Sequence, residues 1–157
     1  MKKIGFAVLA LMGALAAAPA AFGDETYEGQ GYAFKVPSEC TAPAAGAGSF
    51  VLRCKGFTIS VTKVLFQSPA GLDEFAQQNV YGRAAALKVV DKGKASMGSK
   101  PVAYMVALAG ATQSTKTKQY AFVWDKAGYV VSVSGPVKEF SGFVRTADSV
   151  VKSFKVL

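Results

Sequence analysis

Residues 140–154 read FSGFVRTADSVVKSF. Phe140, Phe143, Val144, Ala147, Val150, Val151 and Phe154 recur at spacings of three and four, which puts them on one stripe of an α-helix. Lys138, Glu139, Arg145, Asp148, Lys152 and Lys155 fall on the other side. Such a helix has to lay its stripe on something. The stripe could face a membrane or a partner helix, but the chain before it supplies a sheet that needs a cover. Tyr120, Phe122 and Trp124 alternate on one face of a strand over 117–124, and Asp125-Lys126-Ala127-Gly128 reads as a hairpin turn in which Gly128 supplies a positive φ. Tyr129 to Val133 closes the hairpin, and Ser134-Gly135-Pro136 opens the helix.

Further outward the period stays near two. Val102, Tyr104, Val106 and Leu108 alternate over 101–109, and Lys88 to Met97 alternates loosely. Before them Ser68 caps a helix and Pro69 suits its first turn, with Asp73 and Glu74 at its positive end. Leu72, Phe75, Ala76, Val80 and Leu87 give this helix a stripe over about 70–86, weakened at Gly82. Earlier still, strands over 32–36, 50–54 and 57–66 form a three-strand meander, with Phe57, Ile59, Val61 and Val64 inward. The order is strands, helix, strands, helix. That is an α+β fold: one mostly antiparallel sheet of about six to seven strands with two main helices packed on it.

Three stretches in this order resemble the PsbP-like proteins, including exported bacterial proteins related to DcrB. They are Gly31-Tyr32-Ala33-Phe34-Lys35-Val36-Pro37, then Gly71-Leu72-Asp73-Glu74-Phe75-Ala76, and last Asp148-Ser149-Val150-Val151-Lys152-Ser153-Phe154-Lys155, where an aromatic closes the final helix. A hairpin like that of Tyr120 to Val133 precedes the last helix in that family. The resemblance covers nearly the whole chain after residue 23. It implies a sheet flanked by helices and an accessory or binding role in place of catalysis. It carries over no binding residue, and the pair Cys40 and Cys54 is no general feature of the family.

The N-terminus reads as an export signal: Lys2-Lys3, an apolar run from Ile4 to Ala18 and a small-residue end. The run is shorter than the roughly 20 residues of a membrane span. Cleavage fits after Ala20 or after Gly23; the second leaves residues 24–157 as a single domain, large enough to bury a core. An uncleaved anchor is the alternative. Cys40 comes too late for a lipoprotein signal. The expected address is periplasmic or secreted, where oxidation makes a Cys40–Cys54 disulfide the default; the spacing is not that of a Cys-x-x-Cys redox pair. Loss of Lys2 and Lys3 takes 18 basic residues to 16 against 10 acidic ones, a net charge of about +6.

With no histidine in the chain, the commonest general base, the Ser-His-Asp triad and ordinary zinc, copper and haem ligation are gone. Ser60-Val61-Thr62-Lys63 fits Ser-x-x-Lys but sits on a strand. Gly93 to Lys100 has Lys and Ser transposed relative to a phosphate loop and runs into a strand at Pro101. Asp73 and Glu74 are neighbours whose side chains diverge on a helix, and the dense Asp/Asn spacing of a calcium loop is missing. No catalytic residue, metal or cofactor is expected. Lys88, Lys92, Lys94, Lys100, Lys116 and Lys118 form a candidate basic patch for an acidic envelope protein or an anionic surface; plain solvation is the alternative, and nucleic acid is not expected. A non-catalytic binding protein acting as a monomer on a protein partner is the expectation, with a carrier or sensor of a small lipidic or anionic ligand as the alternative. The intact mass of the protein recovered from the periplasm should equal that of residues 24–157 less two hydrogens; a mass that includes residues 1–23 would contradict cleavage and favour the uncleaved anchor.

Overall fold

The structure is a computed structural model that describes residues 22–41, 49–66, 70–124 and 126–157. The signal segment before Phe22, and Ser68 and Pro69, lie outside those residues. Among the described residues, seven strands form an antiparallel sheet in the order β3-β4-β5-β9-β8-β7-β6. They are β3 (Cys40–Thr41), β4 (Ser49–Cys54), β5 (Thr58–Leu65), β6 (Lys88–Met97), β7 (Lys100–Ala109), β8 (Thr115–Trp124) and β9 (Ala127–Pro136). A small sheet, β1-β2-β10, holds β1 (Phe22–Gly29), β2 (Tyr32–Pro37) and β10 (Lys155–Val156). Helix α1 (Leu72–Asn79) packs on one face of the large sheet; α2 (Phe140–Ser153) and the small sheet cover the other.

The α+β expectation holds, and the helix read from residues 140–154 is α2. Its stripe buries Phe143, Ala147, Val150 and Val151 against Val131, Val133, Ile59 and Val36. Polar ties fix it to β2 and to the turn that follows β2. The Lys35 amide donates to Ser153 Oγ at 3.0 Å, and Thr146 Oγ1 donates to Glu39 at 2.7 Å.

The expected meander does not form. Strand β2 pairs with β1 and β10 and not with β4, on whose Phe50 its Phe34 stacks at 5.4 Å. Tyr32, Phe34 and Val36 are buried, but so are Ala33 and Pro37, so period-two alternation understated how enclosed the strand is. Its place in the ladder went instead to the short β3, which carries Cys40 directly opposite Cys54. Strand β10 is only two residues and gave no pattern to read.

The first helix is also shorter than 70–86. Gly71 is its N-cap, Val80 leaves helical backbone at φ −122° and ψ −65°, and a 3-10 turn runs from Tyr81 to Ala86. A Cβ on Gly82 would lie 2.6 Å from the Gln77 carbonyl oxygen, so glycine is what lets the turn fold back on the helix. Val64 points into the α1 side of the sheet, opposite to Ile59 and Val61. Strand β9 starts at Ala127 and runs to Pro136, so Gly128 and Pro136 are both strand residues. Gly128 has no positive φ. It is required by close approach: a Cβ there would sit 2.4 Å from the Phe75 ring and 2.7 Å from Phe66.

Gly128→Ala should therefore destabilise the fold by about 1–3 kcal/mol through overpacking, read as a lowered urea midpoint with an unchanged m-value. Gly71→Ala, where a Cβ would meet nothing within 4 Å, is the control; equal effects of the two would refute the close-approach account of Gly128.

Candidate interaction surfaces

Strand register decides where each lysine of the candidate patch goes. Side chains at paired positions share a face, and the pairs Val106↔Lys118 and Leu108↔Lys116 put both β8 lysines on the α2 side. Lys88 pairs with Leu108 and shares that side, whereas Lys92↔Met105 and Lys94↔Ala103 place those two on the α1 side. Lys100 is at the start of β7, where its Nζ lies 3.4 Å from the Lys152 carbonyl oxygen. The six lysines are divided between two faces.

Their exposure divides them differently. Lys100, Lys116 and Lys118 are half-buried and occupied internally. Lys116 Nζ sits 4.1 Å above the Phe140 ring. Lys118 Nζ lies over the rings of Tyr120 and Tyr104, at 4.8 and 5.3 Å, and 3.4 Å from Asp148 Oδ1. Burial, and after it Lys155, pushes the Lys100 pKa down. Lys88, Lys92 and Lys94 are exposed, and all three stand on β6. Lys94 Nζ pairs with Asp73 at 2.6 Å, with both side chains more than 60% exposed, and Lys92 Nζ lies 5.4 Å from the Tyr81 ring. Exposed contacts of this kind are worth at most about 1 kcal/mol, so they leave these ammonium groups available.

Lys118, Tyr120 and Asp148 form an enclosed cluster of ionisable side chains between β8 and α2. The Tyr120 hydroxyl donates to Asp148 Oδ1, and the side chains of Lys118 and Asp148 are 16% and 28% exposed. Burial first, then the hydrogen bond to Asp148, pushes the Tyr120 pKa far up. Tyr120 thus stays a neutral donor and is no base or nucleophile. The group ties α2 to β8. Nothing in the sequence announced it, because Tyr120 and Asp148 are 28 residues apart and each had a simpler explanation in its own element. Among the described residues no three His, Cys, Asp or Glu side chains gather where they could hold a metal ion.

Cys40 and Cys54 are disulfide-bonded. The bridge holds β3 on β4 and adds roughly 3 kcal/mol in the chain-entropy picture. Beside it an open depression of about 530 Å³ is lined by Val51, Arg53, Phe57, Thr58 and Ser134. Farther across the sheet, on its α1 side, hydroxyl and amide side chains satisfy one another: Thr117 with Ser134 at 2.8 Å, Gln119 with Ser132 at 3.0 Å. At one end of the other face, Leu65 and Trp124 pair with Ala127 from either side and are exposed. Trp124 shares its face with Tyr120 and Phe122, as the alternation implied, but the β1–β2 turn reaches only as far as Lys63, whose Nζ contacts the Gln30 carbonyl oxygen. Trp124 lies one row farther out.

No protein-family model matches the sequence, and no curated protein matches it. Solved structures do. Cyanobacterial PsbP (CyanoP) from Synechocystis superposes with a TM-score of 0.62 at 14% identity, over 94% of this chain and 99% of that one. A protein of Bacteroides thetaiotaomicron gives 0.58 at 13% identity over 81% of this chain, which spans 45% of the length of that one. The Saccharomyces cerevisiae Ran-binding protein Mog1p gives 0.53 at 12% identity, over 87% and 96%. The chain has a PsbP-like fold.

Tyr120 and Tyr32, the latter raised by burial and by Tyr27 beside it, have folded pKa values above the unfolded tyrosine value of about 10. Their contribution is complete below that pH and is lost as pH rises beyond it. Unfolding free energy should fall above about pH 10, less steeply in Tyr120→Phe. Asp148→Ala should cost about 2 kcal/mol, the cost of leaving a charged-group hydrogen bond unmade; a cost below about 0.5 kcal/mol would show that the contact does not hold α2.

Proposed function

We propose that the chain is an exported, non-catalytic accessory protein that works in the periplasm, or after secretion, by binding an acidic face of another envelope protein. The observation that carries this reading is the division of the lysines: three are spent inside the fold, and Lys88, Lys92 and Lys94 are exposed on one strand, Lys92 and Lys94 on the same face of it. The bonded Cys40–Cys54 pair fits an oxidising compartment. The fold alone is shared with the structural neighbours, and one of them, the yeast protein, is a Ran-binding protein; protein binding is thus within the range of this fold. Among the described residues no helix is long and apolar enough to cross a membrane. Cleavage after Gly23 would leave the regular β1 ladder from Thr26 to Gly29 whole, and cleavage after Ala20 would also retain the Phe22↔Pro37 pair. The mature domain acts as a monomer in this reading.

The depression beside Arg53 favours the second reading, a carrier or sensor of a small anionic ligand. Its openness to solvent limits the surface of a small molecule it can bury, where ligand sites cover most of their ligand.

Photo-crosslinking from position 92 in cells, compared with position 152 on the outer side of α2, separates the two. A discrete adduct with one acidic protein from position 92, absent from 152 and lost at high salt, is the expected outcome. A bare chain with no adduct, together with a co-purified small molecule in native mass spectrometry, would replace this reading by the carrier.

A further inference from the structure

Strand β6 is the last of the seven, so among the described residues its outer side pairs with no strand. It is ten residues long, and an unpaired edge of that length is a template for another chain. A bulge at Val90 interrupts its ladder near the start, between Val89↔Ala107 and Asp91↔Val106; from there to Met97↔Lys100 the register is unbroken. Along this regular part Gly93, Ala95 and Ser96 are small and do not screen the backbone. Lys92 and Lys94, two residues apart, project on the same α1-side face, next to Met105 and Ala103. Val89 and Val90 at the bulge are exposed apolar side chains.

Lysines and bulges also protect edges from unwanted pairing, and that is the competing explanation. Here the bulge lies at one end and leaves seven residues straight, and the two lysines that would repel a basic strand attract an acidic one. We propose that β6 accepts an extended acidic segment of the protein partner by antiparallel strand addition, with carboxylates at alternating positions opposite Lys92 and Lys94 and small or β-branched residues between. Cross-strand pairs on one face are near enough for such ion pairs, main-chain hydrogen bonds supply affinity, and the i, i+2 charge spacing supplies selection. The weak Lys94–Asp73 pair exchanges its partner. This mode of binding rests on the acidic-partner reading above and specifies its geometry.

The test uses the disulfide-intact protein of residues 24–157 and the probe peptide Thr-Glu-Val-Glu-Val-Glu-Thr, at low salt. Expected are saturable binding, at least tenfold slowing of amide exchange within residues 92–97, and at least tenfold weaker binding to the Lys92→Glu/Lys94→Glu variant with an unchanged circular dichroism spectrum and melting temperature. A peptide of the same composition with its three Glu contiguous, and the probe N-methylated at alternate residues, should each bind at least tenfold more weakly. Equal binding of the N-methylated probe, with no slowing in 92–97, would overturn strand addition while leaving an acidic partner in place. No binding of any acidic peptide, together with no crosslink from position 92, would remove both.

Discussion

The ring of Phe154 holds the layers together. It closes α2, stands between that helix and β10, and touches rings from three directions. Tyr32 stacks on it at 5.1 Å and 9°, and Phe34 at 6.0 Å and 6°; Phe122 and Tyr129 meet it edge-on at 5.0 and 4.9 Å. Those four come from β2, β8 and β9, so one side chain joins the small sheet, the last helix and the centre of the large sheet. A fully buried phenylalanine contributes about 3–5 kcal/mol against truncation to alanine, a large part of the stability of a domain this size. The small sheet has no comparable hold of its own: β10 makes only two register pairs with β2. Without the aromatic stack, β1, β2 and β10 would have little reason to stay on the large sheet.

That constraint also explains which surfaces are left open. The small sheet and α2 seal one face around the stack, and α1 lays Phe75 and Ala76 on the part of the other face that carries Ala103, Met105 and Val130. What remains is the exposed end at Leu65 and Trp124, the hydroxyl-lined area around Ser132 and Ser134, the depression at Arg53, and the outer side of β6. A chain of net positive charge places its internally committed lysines under or against α2 and its unencumbered ones on the edge strand.

Fold class could be read from the sequence because α2 buries one stripe, and because β8, although covered on both faces, alternates the aromatics Tyr120, Phe122 and Trp124 with the smaller Ala121 and Val123. The residues 140–154 state their helical face outright. Elements of only two residues, as β3 and β10, show no period, and the alternation in β2 does not say which strands it pairs with, so the small sheet has no local signal. Gly128 reads as a turn residue because local rules know glycine as a positive-φ residue; that Phe75 comes within reach of its missing side chain is tertiary information. For the surface, lysine spacing located the right segment but grouped residues from two faces, since neighbouring positions on a strand point opposite ways. The Tyr120–Asp148 tie depends on two distant elements meeting, and no local pattern encodes it.

The claim on which both architecture and binding edge depend is that the aromatic stack closes the molecule and leaves β6 paired on one side only. Residue-resolved amide exchange on the disulfide-intact protein tests it directly. The architecture predicts slow exchange throughout β2, β5, β8 and β9, and in β6 an alternation between slow amides that bond to β7 and fast ones that face outward. Uniformly slow exchange along β6 would mean that the edge is already occupied, and fast exchange in β2 would mean that the small sheet is not held by Phe154 and its neighbours.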